Sequence, residues 1–169
     1  SFLHATDPPL LHRDMKSPNI LMASLDPTAE VVAKIADFGL TGHVYAGNMA
    51  AQKARDRDVA NPVWLAPEII REEPYATAAD VYPYGIILWE LFAQAHPFDE
   101  YKYEFMTELE RAIKDGKRPT IPEDCPEQYS KFIRVCWDSD PAARPSFKSI
   151  IEDWLPPLIN HFAPEILPA

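Results

Sequence analysis

Residues 12–19, with the sequence HRDMKSPN, place a carboxylate, an amine and an amide within one short segment. Asp14 could accept a proton from a hydroxyl group, Lys16 would add positive charge, and Asn19 would offer a neutral oxygen. A second carboxylate, Asp37, follows a short apolar run further along the chain. Mg²⁺ prefers oxygen ligands of these kinds. Such a set suits phosphoryl transfer, provided that the fold brings the four side chains together.

The composition excludes several classes of protein. The chain has 169 residues, 47% hydrophobic and 25% charged, which is typical of one globular domain. A net charge of −10 without a run of Lys or Arg argues against a nucleic-acid surface. No apolar run reaches the roughly 18 residues of a membrane span, and the first residues do not resemble a signal peptide. Cys125 and Cys136 form no CxxC pair, so we expect neither a zinc site nor a disulfide framework, and we predict a cytoplasmic protein.

The first third of the chain contains short apolar runs rather than long periodic segments. Residues 1–13 are interpreted as the end of a helix, a Pro-Pro turn and a short strand. The runs at 19–22 and 31–37 predict two strands joined by a long hairpin loop. Residues 40–61 have mixed polarity and no clear period, so we predict a mobile loop there.

The rest of the chain has helical patterns. Residues 77–94 are apolar around most of the circumference, which predicts a buried central helix. Pro83 conflicts with a helix interior, and the conflict is smaller if the helix starts near Ala79 or Asp80. The Pro-rich residues 156–169 are predicted to fray or to form irregular chain. Further helices are predicted at 102–115, ending at Gly116, at 127–137 and at 146–155. Three tryptophans are predicted to lie in the core: Trp64, Trp89 and Trp137.

Two further motifs follow HRDMKSPN in the chain: DFG at 37–39 and APE at 66–68. In this order the three motifs resemble those of the C-terminal lobe of a eukaryotic protein kinase. The resemblance implies a mainly α fold, a helical bundle with a small β-ribbon carrying the catalytic and DFG loops, with the N-terminal lobe absent. It implies a partial kinase domain at 1–160, an activation segment at 37–68 and a Pro-rich tail at 161–169.

The resemblance also implies a role for each motif residue, with ATP and Mg²⁺ as cofactors. Asp14 would orient the substrate hydroxyl and accept its proton. Lys16 would place positive charge beside the transferring phosphoryl group of ATP. Asn19 and Asp37 would hold Mg²⁺, and Leu21 would form part of the apolar floor beneath the adenine ring.

Supporting pairs are implied by the same resemblance. Glu68 and Arg144 match an ion pair between the APE motif and a late Arg-Pro motif. Asp80 matches a carboxylate of the central helix that accepts backbone N–H bonds from the catalytic loop. His12 and Phe38 match a stacked pair that links the DFG loop to this helix.

The kind of kinase is indicated by residues near the base. Lys16 favours serine/threonine specificity, since tyrosine kinases usually lack a lysine at this position. Asn61 departs from the family, which usually has Thr there. The segments HRDMKSPNIL, AKIADFGL and RPTIPEDCP are similar to the tyrosine-kinase-like group, and the run FDEYKY…RPTIPEDCP resembles the Roco family, related to leucine-rich repeat kinases. Roco proteins also have a GTP-binding Roc domain and a COR domain, and neither is visible in this sequence.

The glycine-rich loop and strand lysine that hold ATP phosphates in kinases are missing from the sequence. We therefore expect a fragment that is inactive by itself and that needs the missing N-terminal lobe as a partner. The apolar surface left open would favour a homodimer or a segment-swapped assembly. The alternative is a non-catalytic half-kinase or pseudokinase that acts as a binding module, against which the intact Asp14 and Asp37 argue.

Regulation is predicted to involve the activation segment. Arg13, beside the base, would place a cation near this segment, where a phosphate often neutralises it in kinases. Two alternatives remain open: phosphorylation of Thr41, or built-in negative charge from Asp56 or Asp58.

Overall fold

The computed structural model describes residues 2–43 and 61–162, and the statements below concern these residues. Its strands are β1 (Leu10–Leu11), β2 (Ile20–Met22), β3 (Ala33–Ile35) and β4 (Gly42–His43). Short 3-10 turns are present at Leu3–Ala5, Ser17–Asn19, Pro62–Trp64, Asp99–Tyr101 and Pro141–Ala143. The helices are α1 (Pro67–Ile70), α2 (Ala78–Ala93), α3 (Met106–Lys114), α4 (Glu127–Cys136), α5 (Phe147–Ser149) and α6 (Leu155–Phe162), with a π-helical segment, Ile150–Trp154, between the last two.

The strands form small antiparallel pairs. β2 pairs with β3, with Ile20 opposite Ile35 and Met22 opposite Ala33, so the predicted hairpin is confirmed. β1 pairs with β4, which brings the segment after Asp37 back to the residues before the HRD motif. The mixed-polarity stretch 40–61, predicted as a loop, contains β4 near its start. Its residues 44–60 lie outside the described part of the chain.

α2 is the central helix, as predicted from its apolar circumference. Tyr82 and Ile86 are fully buried, and Val81 is nearly so. α2 begins at Ala78, next to the predicted start near Ala79 or Asp80, but Pro83 is its sixth residue and lies in the second turn, so its conflict with a helix interior remains. Proline there cannot donate to the carbonyl one turn back, at a cost of about 3 kcal/mol. Burial on most faces offsets that cost.

At Gly85, α2 and α4 lie so close together that a larger side chain does not fit. A Cβ atom on Gly85 would lie 2.9 Å from Cys136 Cβ and 2.9 Å from the backbone nitrogen of Trp137. Tyr129 of α4 also donates its hydroxyl to the carbonyl of Leu88, at 2.9 Å. These contacts make the α2–α4 pair the centre of the core.

The helices that follow agree with the predictions in part. α3 starts at Met106 rather than at 102, because a 3-10 turn ends at Tyr101 and Lys102 has a left-handed φ of 48°. Gly116, with a φ of 89°, ends the helix as predicted, and Lys117 N–H donates to Ala112 O at 2.8 Å.

The prediction that residues 156–169 are irregular is wrong for 156–162. Pro156 and Pro157 are the second and third residues of α6 and follow directly after the π-helical segment Ile150–Trp154, which already departs from the α-helical hydrogen-bond pattern that a proline interrupts. The helix therefore continues through them to Phe162, and residues 163–169 lie outside the described part of the chain.

Helices dominate the described residues and the sheets there are two-stranded, in agreement with the predicted mainly α class and small β-ribbon. In the ranges 2–43 and 61–162, the helices are too short or too polar to cross a bilayer.

Candidate active site

The HRD segment is fixed to α2 through one buried carboxylate. Asp80, 2% exposed, accepts the backbone N–H of His12 on Oδ2 and that of Arg13 on Oδ1, both at 2.9 Å. His4 Nε2 lies 2.8 Å from Asp80 Oδ2. Arg13 has a left-handed φ of 67°, a conformation that non-glycine residues rarely adopt. The predicted bonds to Asp80 are confirmed, and they hold this strained turn.

Asp14, Lys16 and Asn19 form one hydrogen-bonded cluster. Lys16 Nζ donates to Asp14 Oδ2 at 2.7 Å, and Asn19 Nδ2 donates to the same oxygen at 2.9 Å. Asn19 Nδ2 also donates to the Asp14 carbonyl at 2.8 Å. The Asp14 side chain is 10% exposed and that of Lys16 is 26% exposed. Because both donors use Oδ2, Oδ1 is the oxygen of Asp14 on which a substrate hydroxyl could bond.

Asp37 is joined to this cluster through the backbone. The N–H of Ala36 donates to the carbonyl of Asn19 at 2.8 Å, directly beyond the β2–β3 pairing. Asp37 itself is exposed, has a left-handed φ of 62°, and accepts the Gly39 N–H at 3.3 Å. The side chains of Asp14, Lys16 and Asn19 are thus together, whereas Asp37 lies next to them along the strand pair.

The oxygens of Asn19 and Asp37 fit a hard divalent cation. The amide nitrogen of Asn19 is used on Asp14, which leaves its Oδ1 as the oxygen available to a metal. Asp37 offers an exposed carboxylate. The described residues hold no group of three or more His, Cys, Asp or Glu suited to a metal. Mg²⁺ needs no such group, since it is commonly held by one or two carboxylates, waters and phosphates.

Leu21 lies in β2 opposite Lys34 and is 56% exposed. Its neighbours on the hairpin, Met22 and Ile35, are also exposed, at 59% and 47%. The hairpin therefore has an apolar surface, and the role of Leu21 beneath an adenine ring stays a prediction.

His12 and Phe38 are in contact, as predicted. Their ring centroids are 4.8 Å apart, and the rings are tilted by 59° rather than stacked in parallel. His12 Nε2 lies 3.1 Å from the carbonyl of Ala36. The histidine thus ties the HRD segment to the residues on both sides of Asp37.

The predicted ion pair of Glu68 and Arg144 is confirmed and is bidentate. Arg144 Nη1 donates to Glu68 Oε1 at 2.7 Å, and Nη2 donates to Oε2 at 2.8 Å. The two side chains are 2% and 0% exposed. The guanidinium of Arg144 also lies over the ring of Tyr82, 5.2 Å from its centroid. Burial raises the pKa of Tyr82 to about 12, although Arg118 and Arg144 act in the opposite direction.

A bridge at Glu90 was missed by the sequence reasoning. Glu90 Oε1 accepts the hydroxyl of Ser17 at 2.8 Å, and Oε2 accepts the indole N–H of Trp64 at 3.0 Å. Trp64 is 9% exposed, so its predicted place in the core is confirmed, but its hydrogen bond was not expected. No sequence signal marks this bridge, because Ser17 and Glu90 are 73 residues apart.

The comparison with known protein families agrees with the motifs and with the geometry of the site. A model described as "Protein tyrosine and serine/threonine kinase" matches residues 1–154. The chain belongs to this kinase family. It is 47% identical over 98% of its length to "Probable serine/threonine-protein kinase pats1", 46% identical over 89% to "Cyclic GMP-binding protein C", and 44% identical over 90% to "Probable serine/threonine-protein kinase roco8", all of Dictyostelium discoideum. The predicted similarity to Roco kinases is therefore confirmed.

The kinase chain is short beside these relatives. It spans 5% of the length of the first, 6% of the second and 8% of the third.

Gly42 and His43, which lie in the predicted activation segment, contact the side chain of Arg13. Arg13 Nη2 donates to the carbonyl of Gly42 at 3.0 Å, so the predicted proximity of Arg13 to this segment is confirmed. Thr41 is half-buried beside them, and its phosphorylation stays a prediction. Asp56 and Asp58 lie outside the described residues.

Asn61 uses its side chain locally, where other kinases usually have Thr. Its Oδ1 accepts the N–H of Val63 at 3.1 Å and caps the 3-10 turn Pro62–Trp64. Asn61 also lines a cavity of about 20 Å³ together with Asp14 and Lys16. Asn61 is therefore near Asp14, and its Oδ1 is used by the Val63 N–H.

Proposed function

We propose that this chain is the catalytic part of a serine/threonine protein kinase, which transfers the γ-phosphoryl group of ATP to Ser or Thr hydroxyls of proteins. The observation that carries the proposal is the Asp14 cluster. Lys16 and Asn19 both donate to Asp14 Oδ2, so the carboxylate is held rigidly and remains a proton acceptor through Oδ1. A positioned carboxylate of this kind is what hydroxyl activation needs.

In this proposal each residue has one task. Asp14 orients the acceptor hydroxyl and takes its proton, and Lys16 stabilises negative charge on the phosphoryl group being transferred. Asn19 Oδ1 and the carboxylate of Asp37 hold Mg²⁺, which supplies positive charge to the ATP phosphates when it is bound. Leu21, exposed on the apolar hairpin surface, contacts the adenine ring.

Serine/threonine specificity is supported by Lys16 and by the relatives. The lysine lies in the same turn as the base and bonds to it at 2.7 Å. Two of the similar proteins carry the words serine/threonine-protein kinase in their names.

We further propose that these residues are a C-terminal lobe, at 1–160, which works in the cytoplasm together with an N-terminal lobe. The sequence contains no glycine-rich phosphate loop, and relatives of the chain are at least tenfold longer. The 169 residues alone would then lack the groups that grip the ATP phosphates and would be inactive. GTP binding, if the longer protein resembles other Roco proteins, would belong to a different domain.

A non-catalytic binding module is the second candidate, and one observation favours it. An apolar cavity of about 380 Å³ lies beside the HRD segment and is lined by residues that include Phe2, Ile35, Phe38 and Phe147. Such a surface could pair with another protein or with a second copy of the chain. Light scattering of the isolated chain tests the second copy: a monomer at all concentrations would contradict self-association.

The test of catalysis uses the full-length protein and γ-³²P-labelled ATP with a mixture of protein substrates. We expect phosphoserine and phosphothreonine in the products and a loss of about 10²- to 10⁴-fold in the rate for Asp14→Asn, as expected for removal of a general base. Asp37→Asn should also lower the rate, and added Mg²⁺ should partly restore it. Glu152→Gln, at an exposed site in the π-helical segment Ile150–Trp154, is the control.

Two results would refute the proposal. One is a folded full-length protein that transfers no phosphate although it binds ATP, and this result would favour the binding module. The other is Asp14→Asn with the wild-type rate. Phosphotyrosine as the main product would remove only the serine/threonine assignment.

A further inference from the structure

Glu90, near the C-terminal end of α2, accepts one hydrogen bond on each of its two carboxylate oxygens. Oε1 accepts from Ser17 Oγ at 2.8 Å and Oε2 accepts from Trp64 Nε1 at 3.0 Å. Glu90 is half-buried, and hydrogen bonds to a charged acceptor are stronger than those between neutral groups. One side chain of the central helix therefore holds two separate segments of the chain.

The first of these segments carries the base cluster. Ser17 opens the 3-10 turn Ser17–Asn19, and Asn19 N–H donates to the carbonyl of Lys16 at 3.0 Å. A bond that fixes Ser17 thus limits the movement of the turn that joins Lys16 to Asn19. Those two residues, Lys16 and Asn19, are the donors to Asp14.

The second segment lies between the base and a surface groove. Trp64 ends the 3-10 turn that Asn61 caps, and its ring meets His96 edge-on, with centroids 5.8 Å apart. Asn61 lines the small cavity beside Asp14 and also a groove of about 220 Å³. The groove is formed by this turn together with the residues before and at the start of α3.

We propose that Glu90 is a positioning residue, which keeps the catalytic turn and the 61–64 turn at a fixed separation. The proposal rests on the proposed kinase function. Because Asn61 lines both the groove and the cavity at Asp14, a protein substrate bound in the groove would reach Asp14 past this turn, and the position of the turn would affect where the acceptor hydroxyl lies. A misplacement of about 1 Å can lower a rate by about 100-fold.

Substitutions at Glu90 separate this role from simple packing. Glu90→Ala removes both bonds, and we expect kcat/KM for a protein substrate to fall by about 10- to 100-fold in the full-length kinase. The KM for ATP should stay within about twofold of the wild-type value. Glu90→Gln can keep both bonds, because its oxygen can accept the indole N–H and its amide can donate to the Ser17 hydroxyl. We expect this variant to retain activity within about threefold.

Single truncations test each half of the bridge if Glu90→Ala does not fold. Ser17→Ala should mainly lower kcat, since it loosens the base cluster. Trp64→Phe should mainly raise the KM for the protein substrate, since it loosens the turn at the groove. A matched control is Trp89→Phe, which removes an indole bond from the same helix to the carbonyl of Thr120, at 2.9 Å, away from both turns. Ser130→Ala is the control for the lost hydroxyl.

A readout that does not depend on activity is the indole Nε1 proton of Trp64 in NMR hydrogen exchange. Its exchange should be at least about tenfold faster in Glu90→Ala than in the wild type, and slow in Glu90→Gln. Unchanged exchange in Glu90→Ala would overturn the bridge, even if the protein had no kinase activity. If the wild type is inactive but the exchange result is as expected, the proposed function fails and the bridge stands. If Glu90→Ala keeps kcat/KM within about twofold while exchange increases, the bridge exists but the positioning role is refuted.

Discussion

Removal of the carboxylate from the buried Glu68–Arg144 pair should destabilise the fold far more than removal of the carboxylate from a surface pair with the same shortest N–O distance. The Glu68→Gln substitution keeps the shape of the side chain but leaves a guanidinium that is 0% exposed without its counter-charge. Arg144 also donates to the carbonyls of Ala78 and Asp138, both at 2.9 Å. Breaking one partner of a buried pair costs about 3–5 kcal/mol, and these two remaining acceptors place Glu68→Gln near the lower value.

The surface pair of Glu127 and Lys131 is the matched control. Its N–O distance is 2.7 Å, equal to the shortest distance in the buried pair, but its side chains are 80% and 66% exposed. Solvent already screens those charges, so Glu127→Gln should change stability little. The two pairs thus have the same shortest N–O distance and differ in burial and in the bidentate geometry of Arg144.

The measurement is urea unfolding followed by tryptophan fluorescence, with the free energy of unfolding taken by linear extrapolation. For a domain stable by about 5–15 kcal/mol, a loss of about 3 kcal/mol shifts the midpoint strongly. The double variant Glu68→Leu with Arg144→Met removes both charges. Its loss of unfolding free energy should be smaller than the sum of the losses of Glu68→Leu alone and Arg144→Met alone. The reasoning is refuted if Glu68→Gln loses no more stability than Glu127→Gln, or if the two single losses add.

Three further predictions concern the core. Tyr82→Phe removes a buried hydroxyl that has no hydrogen-bond partner among the described residues, so the free energy of unfolding should stay equal or rise. Tyr129→Phe loses the bond to the carbonyl of Leu88 and should cost about 1 kcal/mol. Urea unfolding measures both variants, and the reverse order of stability would contradict the prediction. Gly85→Ala should lose about 1–3 kcal/mol, because its Cβ would lie 2.9 Å from Cys136 Cβ, and an unchanged thermal midpoint would show that α2 and α4 can separate freely. Burial raises the pKa of the Cys136 thiol to about 12 and that of Tyr82 to about 12, so between about pH 9 and pH 12 the unfolded chain loses these protons while the folded chain keeps them. The free energy of unfolding should therefore fall with rising pH in that window, and less steeply in Cys136→Ala. A flat pH profile would contradict the prediction.

The strands and helices predicted from periodicity were found where local signals were strong. The hairpin of β2 and β3 followed from two apolar runs separated by a turn, and Gly116 marked the end of α3. The start of α3 was predicted at residue 102 and lies at Met106, and the Pro-rich segment from residue 156 was predicted as irregular although it is helical to Phe162. Two prolines are accommodated inside helical chain. Burial of α2 offsets the missing N–H of Pro83, and Pro156 follows a π-helical segment in which the α-helical hydrogen-bond pattern is already interrupted.

The residues of the candidate site were predicted from the sequence, but most of the hydrogen bonds that hold them were not. The sequence motifs selected Asp14, Lys16 and Asn19, and the structure has these three bonded to one another. The bonds that fix them to the rest of the protein come from Asp80 and Glu90, which are distant in sequence. The first of these was predicted only because the chain resembles a known family, and the second was not predicted.

The sequence alone determined the residue types, their order and the local elements, because these depend on contacts within a few positions along the chain. It identified the kinase family through the HRD, DFG and APE motifs and the similarity to Roco kinases. Only the tertiary structure decided which oxygen of Asp14 is occupied, how Asp37 lies beside Asn19, and that Glu90 joins two turns. The bridge joins Glu90 to residues that are 73 and 26 positions away along the chain, which only the folded core brings together. The occupied oxygen of Asp14 depends on side-chain conformations, which residue types and order do not fix.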